Sequence, residues 1–131
     1  MVIWSISWEN KYLDSIRPVI TLIIKNCEKI IFCLDDTSNL FLGLWAVINN
    51  AGIAGRRFGP CEWLTLQDYK DMLAVNLLGV VDVSMTFLPL IKQERGRLVN
   101  VASVHGRTSL IGNAPYSCSK YAVEAFSDNL R

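Results

Sequence analysis

Tyr116 and Lys120 stand four residues apart in a stretch with helical patterning, and Ser103 lies thirteen positions upstream. Four-residue spacing stacks two side chains on one helical face, within reach of each other. A tyrosine phenol ordinarily titrates near ~10 and carries protons poorly at neutral pH. A unit positive charge at ~4 Å, in an effective dielectric of ~20, contributes ~4 kcal/mol toward a phenolate, or ~3 pKa units. That suffices to bring a phenol near ~7, where a general acid or base works best. The three residues together offer a proton carrier, a cation that tunes it and a hydroxyl that could hold a reacting oxygen.

Tyr-x-x-x-Lys alone also decorates helix surfaces, so the surroundings decide its meaning. Asn49-Asn50-Ala51-Gly52 closes an apolar run at 44–48, as at the carboxyl end of a central strand opening on a ligand crevice. After a Gly- and Pro-containing loop at 55–61, Thr65 and Asp68 form a capping-box pattern, with Leu64 and Tyr69 spaced to staple it. A long helix follows on Tyr69, Leu73, Leu77, Val80, Ser84, Phe87 and Leu88, with Asn76 interrupting its apolar stripe and Pro89 and Gly96 marking its decline. Residues 97–103, Arg-Leu-Val-Asn-Val-Ala-Ser, read as a second strand ending on a hydroxyl. A loop at 104–112 carries His105, Arg107 and Thr108. Asn113 caps the last helix, Pro115 sits in its first turn, and Tyr116, Ala122, Val123 and Phe126 face inward. Strand, helix, strand, helix is half of a doubly wound parallel sheet.

These elements, in this order, resemble the short-chain dehydrogenase/reductase family over residues 43–131. Gly43-Leu44-Trp45-Ala46-Val47, Val75-Asn76-Leu77-Leu78-Gly79, Gly96-Arg97-Leu98-Val99-Asn100-Val101 and Val123-Glu124-Ala125-Phe126-Ser127-Asp128 look similar to its retinol and hydroxysteroid dehydrogenase branch. The 3-hydroxybutyrate dehydrogenases are similar in the same stretches.

The resemblance implies an α/β fold, a partial Rossmann-like doubly wound parallel sheet incomplete at both ends, and hydride transfer between NAD or NADP and a small apolar alcohol or ketone of retinoid or steroid type. It implies that Tyr116 moves the proton, Ser103 orients the substrate oxygen, Lys120 also grips the nicotinamide ribose, and Asn76, at a helix irregularity, holds a water leading to the lysine. Asn49, Ala51 and Gly52 match the family loop near the adenine side of the dinucleotide, so these three join Tyr116 and Lys120 as cofactor-binding positions. Family dimers pair through the long and last helices. The branch implies association with the endoplasmic reticulum membrane, a cytoplasmic location being the alternative. His105 is read as a loop residue near the substrate, and Arg107 as part of a solvated loop.

The family's Thr-Gly-x-x-x-Gly-x-Gly phosphate loop has no counterpart here. Without backbone amides and a helix N-terminus on the pyrophosphate, most dinucleotide affinity should vanish. Residues 1–42 are therefore read as an atypical segment replacing the nucleotide-binding portion, and 43–131 as the family core, ending inside a helix before the sixth and seventh strands. Cys33-Leu34-Asp35-Asp36-Thr37 resembles the strand end before the family's adenine contact, yet too few residues separate it from Leu44 for a parallel crossover. A noncatalytic fragment that associates with a full-length homologue through the two helices is the alternative reading. The nucleotide-sugar epimerase and dehydratase branch shares Tyr-x-x-x-Lys, but Asn49-Asn50-Ala51-Gly52 and the 97–103 strand argue against it.

At 131 residues the chain makes one domain at most. A net charge of +1, with no basic stretch interleaved with aromatics, gives no electrostatic case for nucleic acid. Cys27, Cys33, Cys61 and Cys118 form no Cys-x-x-Cys pair and the chain has one histidine, so no metal site is read and reduced thiols of an intracellular protein are expected. Residues 37–55 carry no charge, but three asparagines and three glycines there suit a buried strand and tight loop better than a membrane span. No signal peptide or anchor is read elsewhere.

Overall fold

Strands β1 (Ile3–Ser7), β2 (Val19–Leu22), β3 (Ala46–Asn49) and β4 (Arg97–Val101) form one sheet in the order β1-β4-β3-β2. The computed structural model of the chain describes residues 3–7, 19–22, 44–55 and 57–131. The Cys33–Thr37 strand-end reading lies outside them. β2, β3 and β4 run parallel, with Asn49 opposite Asn100 at the carboxyl ends of the central pair. β1 pairs antiparallel with β4, an edge strand absent from the sequence reading. An antiparallel strand on an otherwise parallel sheet is common, and it covers what would be an open edge of β4.

Between β3 and β4 lie a 3₁₀ turn (Cys61–Trp63), α1 (Leu66–Leu73), a π-helical turn (Ala74–Leu78) and α2 (Gly79–Gln93). After β4 come a second 3₁₀ turn (Val104–Gly106) and α3 (Ala114–Asn129). The expected capping box is present: Asp68 N–H reaches Thr65 Oγ1 at 3.4 Å, and Thr65 N–H donates to Asp68 Oδ2 at 2.8 Å. Those bonds hold the Asp68 carboxyl below the usual carboxylate range, the backbone N–H of Thr65 contributing most and its hydroxyl next.

Two helix-end expectations need correction. The helix does not decline at Pro89 but runs through it to Gln93. Pro89 is exposed while Phe87 and Ile91 on either side are buried, so packing of the inner face outweighs the lost backbone bond. The stop comes at Arg95, in left-handed conformation at φ 47°, and Gly96. A Cβ on Gly96 would lie 2.2 Å from the Trp45 carbonyl oxygen, so only glycine lets the chain enter β4 there. Asn113 occupies the N-cap position of α3, yet its side chain makes no capping bond; its Nδ2 donates instead to the Ala54 carbonyl at 3.4 Å.

The core is built where the inner helix face meets the sheet: Leu44, Val47, Val83, Phe87, Ile91 and Leu98, with Val80, Ala102 and Val123 in a second group. A buried polar chain crosses it. Asn49 Nδ2 donates to Ser84 Oγ (3.0 Å) and to Asn100 Oδ1 (2.7 Å), and Asn100 Nδ2 donates to Ser127 Oγ (3.0 Å). Ser84 and Ser127 return their protons to the carbonyls of Val80 and Val123. The Nδ2 groups of Asn49 and Asn100 are thus both partnered, and α2, β3, β4 and α3 are tied in a fixed register.

The run Leu66–Gln93 is long and apolar enough to cross a membrane by length and composition. Here one face of it, Met72, Asn76, Val80, Val83, Ser84, Phe87 and Ile91, is buried against the sheet and α3, while Leu66, Leu78 and Met85 on the rest are exposed.

Candidate active site

The carboxyl ends of β3 and β4 and the first turns of α3 bring the predicted residues together. Lys120 is 5% exposed, its Nζ donates to the Val101 carbonyl at 2.9 Å, and it lies 5.8 Å from the Tyr116 ring centroid. The four-residue spacing therefore places amine and aromatic ring on one helix face. Burial pushes the Lys120 ammonium below the usual lysine range. An ammonium has three donors, and Val101 is the one acceptor it meets among the described residues.

Asn76 lies fully buried in the π turn. Its Oδ1 accepts from Ile53 N–H at 2.8 Å, and its Nδ2 donates to the Ile53 carbonyl at 2.9 Å and to Ser119 Oγ at 3.1 Å. Ser119 Oγ in turn donates to the Tyr116 carbonyl at 2.7 Å. The extra residue of a π turn re-aims one side chain out of the helical stripe, and here that side chain ties the loop after β3 to α3. Gly52 sits in this tie: a Cβ on it would lie 3.5 Å from Asn76 Oδ1 and 3.7 Å from Lys120 Nζ.

Ser103 lies two residues past β4, in extended conformation at the N-cap of the Val104–Gly106 turn, and its Oγ accepts from His105 N–H at 3.2 Å, leaving the hydroxyl proton to donate elsewhere. His105 Nδ1 shares a 3.1 Å hydrogen bond with Ser117 Oγ, and its ring stands edge-on to Tyr116 at 5.3 Å and 73°. Ala51 and Gly52 lie on the loop after β3, partly or fully exposed, whereas the Asn49 side chain is 4% exposed and spent inside the polar chain. Asn49 is therefore placed to set the start of this loop, its amide turned into the core.

Sequence reading missed Ser119, Ser117 and Glu124. Ser119 precedes Lys120 and Glu124 follows it by one helical turn; both are buried, and the one-turn spacing was an available signal for Glu124 alone. Arg107 is solvent-exposed on its loop, as read, and its guanidinium also pairs with the buried Glu124 at 2.7 Å. A cleft of about 340 Å³ opens among Ile53, Arg57, Asp68, Met72, Asn113 and Pro115. Ser103, Tyr116 and Lys120 do not line it.

The sequence model described as short chain dehydrogenase matches residues 19–131, from the start of β2 to the end of the chain. The chain belongs to the short chain dehydrogenase family. Among curated members, human retinol dehydrogenase 16 is 57% identical and bovine 17-beta-hydroxysteroid dehydrogenase type 6 is 53% identical, each over 89 residues, 68% of this chain. This family member spans 27% of the length of either relative. Among solved structures, NAD+-bound xylitol dehydrogenase matches with a TM-score of 0.73 at 28% identity, covering 80% of this chain and 40% of that one. The α/β sheet is thus part of a short chain dehydrogenase Rossmann fold.

Proposed function

We propose that the chain carries the proton-transfer centre of an NAD(P)-dependent oxidoreductase acting on an apolar alcohol or ketone of retinoid or steroid type. The observation that carries this reading is the placement of Lys120 Nζ and the Tyr116 ring on one face, 5.8 Å apart, with Ser103 at the adjoining strand end. The names of the curated relatives support the substrate class, and the NAD+-bound structural relative supports a nicotinamide cofactor.

Tyr116 exchanges a proton with the reacting oxygen, and the Ser103 hydroxyl donates a second hydrogen bond to that oxygen. Lys120 keeps one N–H on the Val101 carbonyl and offers the remaining donors to hydroxyls of a bound ribose. Asn76 fixes Ile53, and through it the Gly52 backbone, beside that amine. Ala51 and Gly52 would border the dinucleotide where the chain is open. A nicotinamide dinucleotide, when bound, supplies the hydride acceptor or donor. The lysine and glycine suit its ribose end, whereas residues 1–42 hold no glycine to cradle a pyrophosphate.

The test has two arms. NADH titrated into the purified chain, followed by energy transfer from tryptophan, should bind weakly and less well still to Lys120→Met. A chain supplied with a glycine-rich strand–turn–helix ahead of Gly43 should oxidise all-trans-retinol with NAD or NADP, and Tyr116→Phe should lower that rate at least ~100-fold. A supplied chain that binds NADH yet turns over no faster than its Tyr116→Phe variant defeats the reading.

A second reading rests on Leu66, Leu78 and Met85 of the long helical run and Tyr121 of α3, which are 70%, 58%, 57% and 45% exposed. These apolar side chains supply a surface through which the chain could associate with a full-length homologue, or with itself, without catalysis. Co-purification with such a homologue, lost on Leu78→Glu, supports it; no association sinks it. Association with the endoplasmic reticulum membrane likewise stands as a proposal, supported by branch resemblance.

A further inference from the structure

We infer that the Arg107–Glu124 pair is a positioning clamp, holding the Val104–Gly106 turn on α3 so that Ser103 and His105 keep their places beside Tyr116. The inference rests on the proton-transfer reading of those residues and adds two that it does not use. Glu124 stands one helical turn beyond Lys120 and is 5% exposed, a carboxylate buried in the protein with Arg107 Nη2 2.7 Å from its Oε2. A buried carboxylate depends on its cation far more than a surface one does, so this partner's position is strongly determined.

The grip on the turn has three further points. Tyr121 Oη donates to the Arg107 carbonyl at 2.7 Å. A Cβ on Gly106 would lie 2.9 Å from the Lys120 carbonyl oxygen and 2.9 Å from Glu124 Cγ, so the turn lies flush on the helix backbone only as glycine. His105, between Gly106 and the strand end, reaches Ser103 Oγ through its N–H and Ser117 through its ring. A release at Arg107 therefore travels two residues to the imidazole and four to the serine hydroxyl. Arg107 and Glu124 touch neither reacting atom in this scheme; they act through His105 and Ser103.

His105 is the one histidine of the chain, so its ring protons give a single assignable pair by NMR. With ring centroids 5.3 Å apart, the protein should show a nuclear Overhauser effect between the His105 and Tyr116 rings. Arg107→Ala is expected to weaken that cross-peak at least threefold and move the His105 signals toward those of an unstructured histidine, while Val123 resonances in α3 stay put. Arg107→Lys should restore most of it. Glu124→Gln, which keeps shape and removes charge, is the second variant and should weaken the cross-peak at least twofold. Unchanged His105–Tyr116 cross-peaks in either folded variant overturn the clamp. This readout needs no cofactor, so its failure leaves the oxidoreductase reading standing, and failure of the retinol assay leaves the clamp result intact.

Discussion

Asn76 grips the backbone of Ile53 from both sides, its Oδ1 accepting the N–H at 2.8 Å and its Nδ2 donating to the carbonyl at 2.9 Å. One amide thereby imitates a strand partner for a loop that has none. Asn76→Leu keeps volume and apolar fit but orphans both backbone groups, each worth about 1–3 kcal/mol if left dry. Ile53 is 41% exposed, so water can replace part of what is lost, and the expected destabilisation is about 2 kcal/mol. Urea unfolding gives the magnitude, and hydrogen exchange at the Ile53 amide gives the mechanism. Unaltered protection of that amide in the variant would falsify the assignment.

Lys120 is buried at a cost to stability. Its folded pKa lies below the lysine value of 10.5 because burial disfavours the charged form, so between the two values the unfolded chain binds more protons than the folded one. Stability therefore rises with pH across that interval, and below it the full burden of the buried charge is carried. Lys120→Met should melt higher than the parent at pH 7 and lack the parent's alkaline gain, each recovered kcal/mol appearing as about 4 °C. Thermal melts from pH 7 to pH 11 decide this. A variant that melts lower at pH 7 would mean that the bond to the Val101 carbonyl outweighs the desolvation.

Features whose partners lie within a helical turn could be read from sequence: the capping box at Thr65 and Asp68, three residues apart, and the shared face of Tyr116 and Lys120, four apart. The strand–helix–strand–helix order was legible for a related reason, since periodicity reports which face is buried. Features fixed by distant partners were not. Asn113 looked like a cap, but the carbonyl of Ala54, 59 residues away, takes its amide. The pairing of the exposed Arg107 with Glu124, seventeen residues on in α3, was not legible because nothing local marks that glutamate as buried. Asn49 read as a loop residue from its place beside Gly52, whereas its register partner Asn100 draws it into the core. The β1–β4 pairing likewise joins distant residues, Ile3 opposite Val101 and Ser7 opposite Arg97.

The helix start at Thr65 offers a test at acid pH. Thr65→Ala removes the hydroxyl that accepts from Asp68 N–H and is expected to lower stability by about 1 kcal/mol at neutral pH. The Asp68 pKa lies below 3.8 in the folded chain, so its contribution is fully present above that value and fades as pH falls through the folded value. Asp68→Asn should therefore be less stable than the parent at pH 7 and converge on it toward pH 2. A gap between the two that persists undiminished at pH 2 would show that the ionised carboxylate is not what matters.

Pro89 provides the last prediction, and its sign depends on two opposing terms. Inside α2 it removes the backbone bond to the Met85 carbonyl, and proline in a helix interior is about 3 kcal/mol worse than alanine. Against this, proline restricts the unfolded chain, which favours the folded state by about 0.4–1 kcal/mol. The site is exposed, so alanine neither opens a cavity nor buries a polar group. The first term wins, and Pro89→Ala should stabilise the protein by about 2–2.6 kcal/mol. Urea unfolding measures the gain, and slower exchange of the amides at Leu90 and Ile91 should accompany it. Equal stability of variant and parent would mean that the helix has bent around the ring at no energetic disadvantage, and the packing of Phe87 and Ile91 would then not be what carries the helix past it.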